Sequence, residues 1–423
     1  MRSVGVLTLG CKVNTYESEF VINELKKAGY IVKDFDDICD VYIINTCTVT
    51  NNSDSKSKKM IRQAIRRNPN ACVVAMGCFI AANPDIQIDG LDIIIGNKDK
   101  SKIVSLLDEY FKNKEVMRLE YTERLRDFED MYINSFPGRT RAFVKIQDGC
   151  DNFCTYCIIP FVRGKCRSKE ESKVIEEVTD LVKNGYKEIV LTGIHTGSYG
   201  VDLDTDFSDL LEKLVKIEGL MRLRISSIET TELNEDVLNV LINSSILVDH
   251  LHIPIQAGSN EILKAMNRKY DLDFFFNKIK EIRSIRPDIS ISTDVIVGFP
   301  GETEELFLKT IETCKKIGFS KLHVFPYSER RGTASSRMSG KIDEHEKKIR
   351  SRRLIEVSHE LEINYMKKFI GKEVEVLVEE FKDGYSYGHT GNFLYVKIKG
   401  NLPHNKIVKV TIKEVDYPYC IGV

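Results

Sequence analysis

Three cysteines stand within eight residues of one another, at Cys150, Cys154 and Cys157 in the run GCDNFCTYCIIPFVRG. The C-x3-C-x2-C spacing offers three thiolates, where a closed structural zinc site or a fully ligated four-iron cluster takes four. A loop of this kind points to a 4Fe–4S cluster with one iron left open, at which a small molecule can bind. Zinc would want a fourth Cys or His close by. Cys166 is the nearby candidate, and it lies among Arg163, Lys165 and Arg167, poor surroundings for a closed site.

The chain of 423 residues holds eleven cysteines, and its start, MRSVGVLTLGCKVN, reads as a strand rather than an apolar leader. No apolar run approaches membrane-spanning length, so a cytoplasmic protein without membrane contact is expected. In a reducing compartment such cysteines read as metal ligands rather than disulfides. With 62 basic and 63 acidic residues the chain is not a general polycation, so any nucleic-acid contact must rest on local patches. SKSKKMIRQAIRRNP, with Lys56, Lys58, Lys59, Arg62, Arg66 and Arg67, is one; HEKKIRSRR, from His345 to Arg353, is another. A solvated helix face is the plain alternative for both.

Hydrophobic patterning divides the chain and predicts an α/β protein. Residues 1–115 alternate Val/Ile-rich runs (SVGVLTLG, VYIINT, CVVAMG, LDIIIG) with helical stretches, which predicts a parallel α/β sheet domain. Cys11, Cys47 and Cys78 each fall just past a predicted strand end, where ligand sites of open α/β sheets form. They make a second set of three thiols; chance placement of structural cysteines is the alternative. Cys72 lies inside a strand and reads as core. Residues 116–138 read as a linker or a segment wrapping between domains. Over 139–366 six β-α units predict a partial TIM-type barrel whose site lies at the carboxyl ends of its strands. His195, Thr196, Ser227, Glu229, Gln256, Asp294, Tyr327 and Ser328 sit there, each weak evidence alone. Residues 370–423 alternate with glycine turns and predict a small C-terminal β-barrel of oligonucleotide-binding type. Tyr385, Tyr387, Phe393 and Tyr395 are candidates for stacking on bases, with barrel core as the alternative for half of them.

C-x3-C-x2-C opening a β/α barrel resembles the radical S-adenosylmethionine superfamily. The resemblance implies that the open iron of the Cys150, Cys154 and Cys157 cluster chelates S-adenosylmethionine, whose reductive cleavage gives a 5′-deoxyadenosyl radical. It implies that Tyr156 packs on the cofactor's adenine and that TDVIVGFPGE, with Ile296 and Gly298, backs it. Asp294 departs from this motif at its first Gly position, and Glu302 comes one place late. Gly193, Ser227, Glu229 and Gln256 complete the expected cofactor pocket.

A three-cysteine α/β domain, a radical barrel and a small β-barrel in that order resemble the methylthiotransferases, over essentially the whole chain. TLGCKVNTYESE, INTCTVTNNSD and MGC match the motifs of the family's N-terminal cluster, and the third domain resembles the RNA-binding TRAM domain. Lys12-Val13-Asn14 after the first cysteine, with LTGIHTGSYG, SSIE, HLHIPIQAGS and HVFPYS, is similar to the branch that modifies threonylcarbamoyladenosine. The resemblance implies two 4Fe–4S clusters and S-adenosylmethionine as cofactors. It implies tRNA as substrate, methylthiolated at adenosine 37, next to the anticodon. It implies an electron donor of flavodoxin or ferredoxin type, and leaves the sulfur source unspecified. The C2–H of adenine is neither acidic nor electrophilic, so acid–base catalysis cannot remove it. The N-terminal cluster (Cys11, Cys47, Cys78) is expected to carry the sulfur, and Lys56, Lys59, Arg62, Arg66, Tyr385 and Tyr387 to contact RNA. Action on isopentenyladenosine or on a ribosomal protein, a non-catalytic iron–sulfur RNA-binding protein and a zinc-binding RNA chaperone are the alternatives.

Overall fold

The computed structural model describes residues 1–119 and 125–423. The first unit is a six-stranded, all-parallel sheet of β1 (Ser3–Thr8), β2 (Ile31–Lys33), β3 (Val41–Thr46), β4 (Cys72–Gly77), β5 (Ile93–Ile95) and β6 (Met117–Leu119). Their order is β2-β1-β3-β4-β5-β6. Every residue of β3 and β4 is buried, as expected of parallel strands covered on both faces. The chain leaves β1 toward β2 on one side and β3 on the other, so the topological switch lies between β1 and β3. β6 falls within the segment expected as linker, because Met117–Leu119 pair with β5. Residues 120–124 of that segment lie outside the described residues. From Met131 the segment becomes a buried strap: Met131, Ile133 and Phe136 join the core. The Met131 carbonyl accepts from Tyr16 Oη and Lys169 Nζ, each at 2.6 Å.

The central unit begins with β7 (Arg141–Lys145). A short antiparallel pair, β8 (Gln147–Asp148) and β9 (Arg167–Ser168), then brackets the loop bearing Cys150, Cys154 and Cys157. The parallel strands β10 (Glu188–Thr192), β11 (Arg222–Ile225), β12 (His250–His252), β13 (Ser290–Val297) and β14 (Lys321–Pro326) follow. They form two sheets, β7-β10-β11 and β12-β13-β14. A bridge between Leu223 and Leu247 joins the two, with backbone bonds of 2.7 and 3.1 Å, so six strands curve in chain order. This is the partial barrel the sequence predicts. Helix Lys12–Lys27 of the first unit packs against the open edge of β7, and both units contribute to one hydrophobic core.

Residues alternate along these strands. Ala142, Val144, Ile189, Leu191, Leu223, Ile225, Leu251 and Ile291 pack outward into the core. The opposite face carries Arg141, Lys145, Glu188, Arg224, His250, His252, Ser292, Asp294 and His323. The lumen is therefore polar, where a closed TIM barrel would fill it with branched apolar side chains.

The last unit is a closed five-stranded barrel, β15 (Glu373–Lys382), β16 (Tyr385–Thr390), β17 (Tyr395–Lys399), β18 (Ile407–Asp416) and β19 (Tyr419–Gly422), in the order β15-β16-β17-β19-β18. It docks on the amino ends of the central strands. Arg222 donates to the carbonyls of His389 (3.0 Å) and Glu375 (2.8 Å), and Arg224 to that of Gly391 (3.1 Å). Among the described residues no helix is long and apolar enough to cross a membrane.

Candidate iron–sulfur and cofactor site

Cys11, Cys47 and Cys78 follow β1, β3 and β4, three adjacent parallel strands, so sheet order brings them together beside the switch point. Cys11 is the N-cap of helix Lys12–Lys27 and Cys78 opens helix Cys78–Ala82. Asn14 ties the two strand ends, donating to the carbonyls of Leu9 (2.7 Å) and Thr46 (3.0 Å). Ser57 does the same for Cys47: its hydroxyl accepts the Cys47 N–H (3.3 Å) and donates to the Cys47 carbonyl (3.0 Å). Gly10 has φ of +98°, and a Cβ there would lie 2.9 Å from Cys47 Sγ, so a side chain would fill the space in front of the thiol.

Cys11 and its neighbour Lys12 are exposed to solvent. Neighbouring protein atoms still desolvate the Cys11 thiol, which pushes it above its ordinary pKa, and Arg163 opposes the shift. Burial likewise raises Cys47, with the Val49 N–H opposing. The Arg163 side chain, fully buried, is the hub. Its Nε donates to Cys78 Sγ (3.2 Å) and its Nη2 to Asn14 Oδ1 (2.7 Å). Its Nη1 donates to Glu17 Oε1 (3.1 Å) and Asp148 Oδ1 (3.0 Å). Lys100 and Lys145 also pair with Glu17, and Lys145 and Arg167 with Asp148. Burial works against the Glu17 and Asp148 carboxylates, yet the cations around each hold its pKa below the ordinary value. Asp148 Oδ1 accepts the Gly149 N–H at 2.8 Å, so this buried network reaches the residue before Cys150.

In the second loop, Arg268 donates from Nη1 to Cys154 Sγ (3.4 Å) and from Nη2 to the Glu229 carboxylate. Burial raises the Cys154 thiol, opposed by Arg268, and pushes Cys157 up to about 12. His195 Nε2 stands 2.5 Å from Glu232 Oε1 and 3.2 Å from Asn152 Nδ2. Burial disfavours its charge, but the adjoining Cys150 and Cys166 thiols and Glu232 raise its pKa. Among the described residues no three His, Cys, Asp or Glu side chains gather closely enough for one metal ion, and no disulfide forms. Thiolates are the ligands iron–sulfur clusters take, and a guanidinium donates to one sulfur of each set, Arg163 to Cys78 and Arg268 to Cys154. Each cysteine set thus fits a 4Fe–4S cluster, and Cys11, Cys47 and Cys78, and Cys150, Cys154 and Cys157, would hold them.

The other predicted cofactor residues lie on the cysteine loop or at the carboxyl ends of the central strands. Tyr156 meets Phe299 edge-on at 6.5 Å. Gly193 and Ser227 follow β10 and β11, and a Cβ on Gly193 would crowd Gln147 Oε1 (2.9 Å). Gln147 Oε1 accepts the N–H groups of Ile194 and His195. Gln256, at φ of +65°, bridges to Val295. Ile296, one residue before the end of β13, is half-buried, and the Gly298 N–H donates to Glu302 at 2.6 Å. Glu302 comes one place late in the motif, yet it is fully buried and also accepts from Arg350 (2.9 Å). That pairing overturns a solvated face for HEKKIRSRR: Lys347 and Arg350 are buried, and Arg353 pairs with Glu304.

Lys56, Lys59, Arg62 and Arg66 share the exposed face of helix Asn51–Arg67 and have no acidic partner among the described residues. Arg67 is tied to Asp36. Arg330 of the central unit, bonded to Thr48, Asn51 and Asp54, anchors the start of this helix at the cysteine mouth. Tyr385 and Tyr387 alternate with buried Ser386 and Gly388, so they face outward. Tyr387 forms a surface stripe with Tyr395, Tyr419, His389 and Phe393, its rings 4.6–5.9 Å apart, while Tyr385 carries the Lys397 ammonium over its ring at 4.4 Å. The stripe lies at the end of the central barrel away from the cysteines, so the structure does not join it to the basic helix. Arg163, Arg268 and Glu17 escaped sequence reasoning as site residues, and Arg350 counted there only as part of a basic patch. Only the charges interrupting apolar runs, as in PFVRG and YESEF, marked any of them.

The chain matches the Radical SAM superfamily over residues 144–314 and the uncharacterized protein family UPF0004 over residues 3–96. Threonylcarbamoyladenosine tRNA methylthiotransferase MtaB of Bacillus subtilis (strain 168) is 45% identical, covering 100% of this chain and 96% of that protein. A tRNA-2-methylthio-N(6)-dimethylallyladenosine synthase of Carboxydothermus hydrogenoformans is 34% identical, covering 98% and 97%. Among solved structures, the radical S-adenosylmethionine methyltransferase TsrM from Kitasatospora setae shares the fold (TM-score 0.55, 14% identity, 77% of this chain and 73% of that one). With both cysteine sets in place and identity sustained end to end, the chain belongs to the radical S-adenosylmethionine methylthiotransferase family.

Proposed function

We infer that this protein converts N6-threonylcarbamoyladenosine at position 37 of tRNA to its 2-methylthio derivative. The observation that carries the reading is the joining of two three-cysteine sets around one mouth by Arg163, in a chain 45% identical over its full length to a relative named for that reaction. When bound, the two 4Fe–4S clusters and S-adenosylmethionine supply hydrogen abstraction at an unactivated C–H and the methylthio group that replaces the hydrogen. The chain's own residues fix where this happens. Asn14 and Ser57 hold the strand ends carrying Cys11 and Cys47. The Glu229–Arg268 pair orients Cys154. Tyr156, Gly193, Ser227, Glu229, Gln256, Ile296 and Gly298 form the wall assigned to the cofactor.

The basic helix, with Lys56, Lys59, Arg62 and Arg66, supplies phosphate contacts at the mouth, and Tyr385 and Tyr387 a separate stacking patch. A reductant of flavodoxin or ferredoxin type and a sulfur source act with the enzyme in the cytoplasm. Nucleoside mass spectrometry of tRNA from a strain lacking the gene tests the reading. Methylthiolated threonylcarbamoyladenosine should vanish and return with the wild-type gene. Loss of the isopentenyl equivalent instead would move the assignment to the sister activity.

A further inference from the structure

The sulfur of Cys78 sits in surroundings that Cys11 does not share. Cys78 is 4% exposed, whereas Cys11 is open to solvent. Two side-chain N–H groups are aimed at Cys78 Sγ, Arg163 Nε at 3.2 Å and Asn97 Nδ2 at 3.5 Å. Both donors are buried. The other nitrogens of the Arg163 guanidinium are taken by Asn14, Glu17 and Asp148, so Nε cannot turn from the sulfur without breaking them.

Asn97 is held just as firmly. Its Oδ1 accepts from the Lys100 ammonium (3.2 Å), and its Nδ2 donates one hydrogen to the Val162 carbonyl (2.9 Å). Turning the amide over would set its NH2 against the ammonium and its oxygen against the carbonyl, so these two partners fix its orientation. The second Nδ2 hydrogen is left for Cys78. A free thiol also finds Asn97 Oδ1, at 3.8 Å, but a thiolate bound to iron has no proton to give, and the N–H bonds remain. Val162 and Arg163 are neighbours in sequence. One short segment after the barrel cysteines therefore supplies one donor and aligns the other.

Hydrogen bonds to the sulfurs are among the levers that set the potential of an iron–sulfur cluster. An N–H aimed at a ligating thiolate favours the reduced form, which carries more negative charge on its sulfurs, and it does so most where water is excluded. Methylthiolation has a use for that lever. A methanethiolate and a carbon radical together hold one electron more than the thioether they form. The hydrogen atom taken from C2 has already left with 5′-deoxyadenosine, so the surplus electron must pass to the iron that held the thiolate. We propose that Arg163 and Asn97, acting through Cys78, raise the potential of the N-terminal cluster so that it accepts this electron as the C–S bond forms. The inference rests on the methylthiolation reading above and holds whichever adenosine is the acceptor.

The test is a redox titration of the reconstituted full-length protein without RNA, followed by electron paramagnetic resonance. A full-length protein carrying Cys150→Ala, Cys154→Ala and Cys157→Ala identifies the signal of the N-terminal cluster. Asn97→Leu removes the donor. Asn97→Asp keeps the shape and the Lys100 bond but puts an oxygen where the donor was. Both should shift the N-terminal couple toward its oxidised form by roughly 3- to 10-fold, about 30–60 mV for one electron, and leave the barrel couple unmoved. With tRNA and reductant, both variants should form more 5′-deoxyadenosine per methylthiolated nucleoside than the wild type. A wild-type N-terminal potential in both variants overturns the inference. So does an equal fall at both clusters, which would mark a general loosening of the structure. Either result, in an enzyme that still methylthiolates threonylcarbamoyladenosine, leaves the substrate reading intact. The expected shift in a protein that leaves that nucleoside unmodified would support the tuning and remove the substrate reading.

Discussion

Arg163 Nε stands 3.2 Å from Cys78 Sγ, and the same guanidinium reaches Asp148, two residues before Cys150. One side chain of the central domain therefore touches a candidate ligand of the N-terminal cluster and steadies the loop of the other. Its pairing with Glu17 also fastens the helix that begins at Cys11.

Arg163→Met should destabilise the whole chain, because it leaves Glu17 and Asp148 buried with fewer cations than they need. Breaking a buried ionic network in this way costs about 3–5 kcal/mol. Arg163→Lys should recover little of it, since one ammonium cannot bond Cys78, Asn14, Glu17 and Asp148 at once. Urea unfolding of the three proteins measures this, and a wild-type midpoint for Arg163→Met would contradict the network's role.

The two cysteine sets predict separable losses. Cys47→Ala should abolish methylthiolation while reductive cleavage of S-adenosylmethionine continues, and Cys154→Ala should abolish both. Mass spectrometry of 5′-deoxyadenosine and of the modified nucleoside reads the two reactions. Loss of both in a folded Cys47→Ala protein would sink the division of labour.

Glu188 should give the C-terminal barrel an acid-sensitive joint. Burial disfavours its charge, but Arg224, Arg141 and Arg222 prevail and hold it down to about 2. A carboxylate with a lowered folded pKa contributes its stability fully above its ordinary value, near 4.5, and loses it as pH falls toward 2. The amount at stake is on the order of 3 kcal/mol. Circular dichroism across that window should show a shallower decline for Glu188→Gln, whose stability at neutral pH is already reduced because three guanidiniums lose their shared partner.

The exposed basic helix should act through charge alone. Lys59→Glu with Arg62→Glu should weaken stem-loop binding for every sequence and flatten its salt dependence, by about 0.7–0.9 in logarithmic slope for each phosphate that is no longer neutralised. Tyr387→Ala should instead cost about 1–3 kcal/mol if a base stacks there, with the slope unchanged. Titrations at several salt concentrations separate the two.

The positions of the six cysteines were legible because Val/Ile runs mark strands, and parallel topology makes consecutive strand ends neighbours. SVGVLTLG, VYIINT and CVVAMG place Cys11, Cys47 and Cys78 before any coordinates exist. The third domain's turns showed equally plainly. Less visible was β6, three residues of ordinary polarity whose strand character comes from pairing with β5. The charged lumen was hidden for a different reason. RLRI, HLH and SISTD alternate like half-exposed strands, and only the curvature of the sheet shows that their polar face looks inward. Arg163 counted in the sequence only as one of the charges around Cys166, because its acidic partners lie 146 and 15 residues away along the chain. HEKKIRSRR misled in the same way, since Arg350 finds Glu302 only once helix Glu344–Lys367 lies against the barrel.

The strap from Met131 to Phe136, the common core and the Arg163 hub together remove a degree of freedom that multidomain enzymes often use. Moving the two thiol triads apart would break the buried bonds of Arg163 to Cys78, Asn14, Glu17 and Asp148 all at once. The same welding means that neither half is a transplantable module: a chimera exchanging only the N-terminal sheet would have to carry over the complementary charges of Asp148, Lys145 and Arg163 with it.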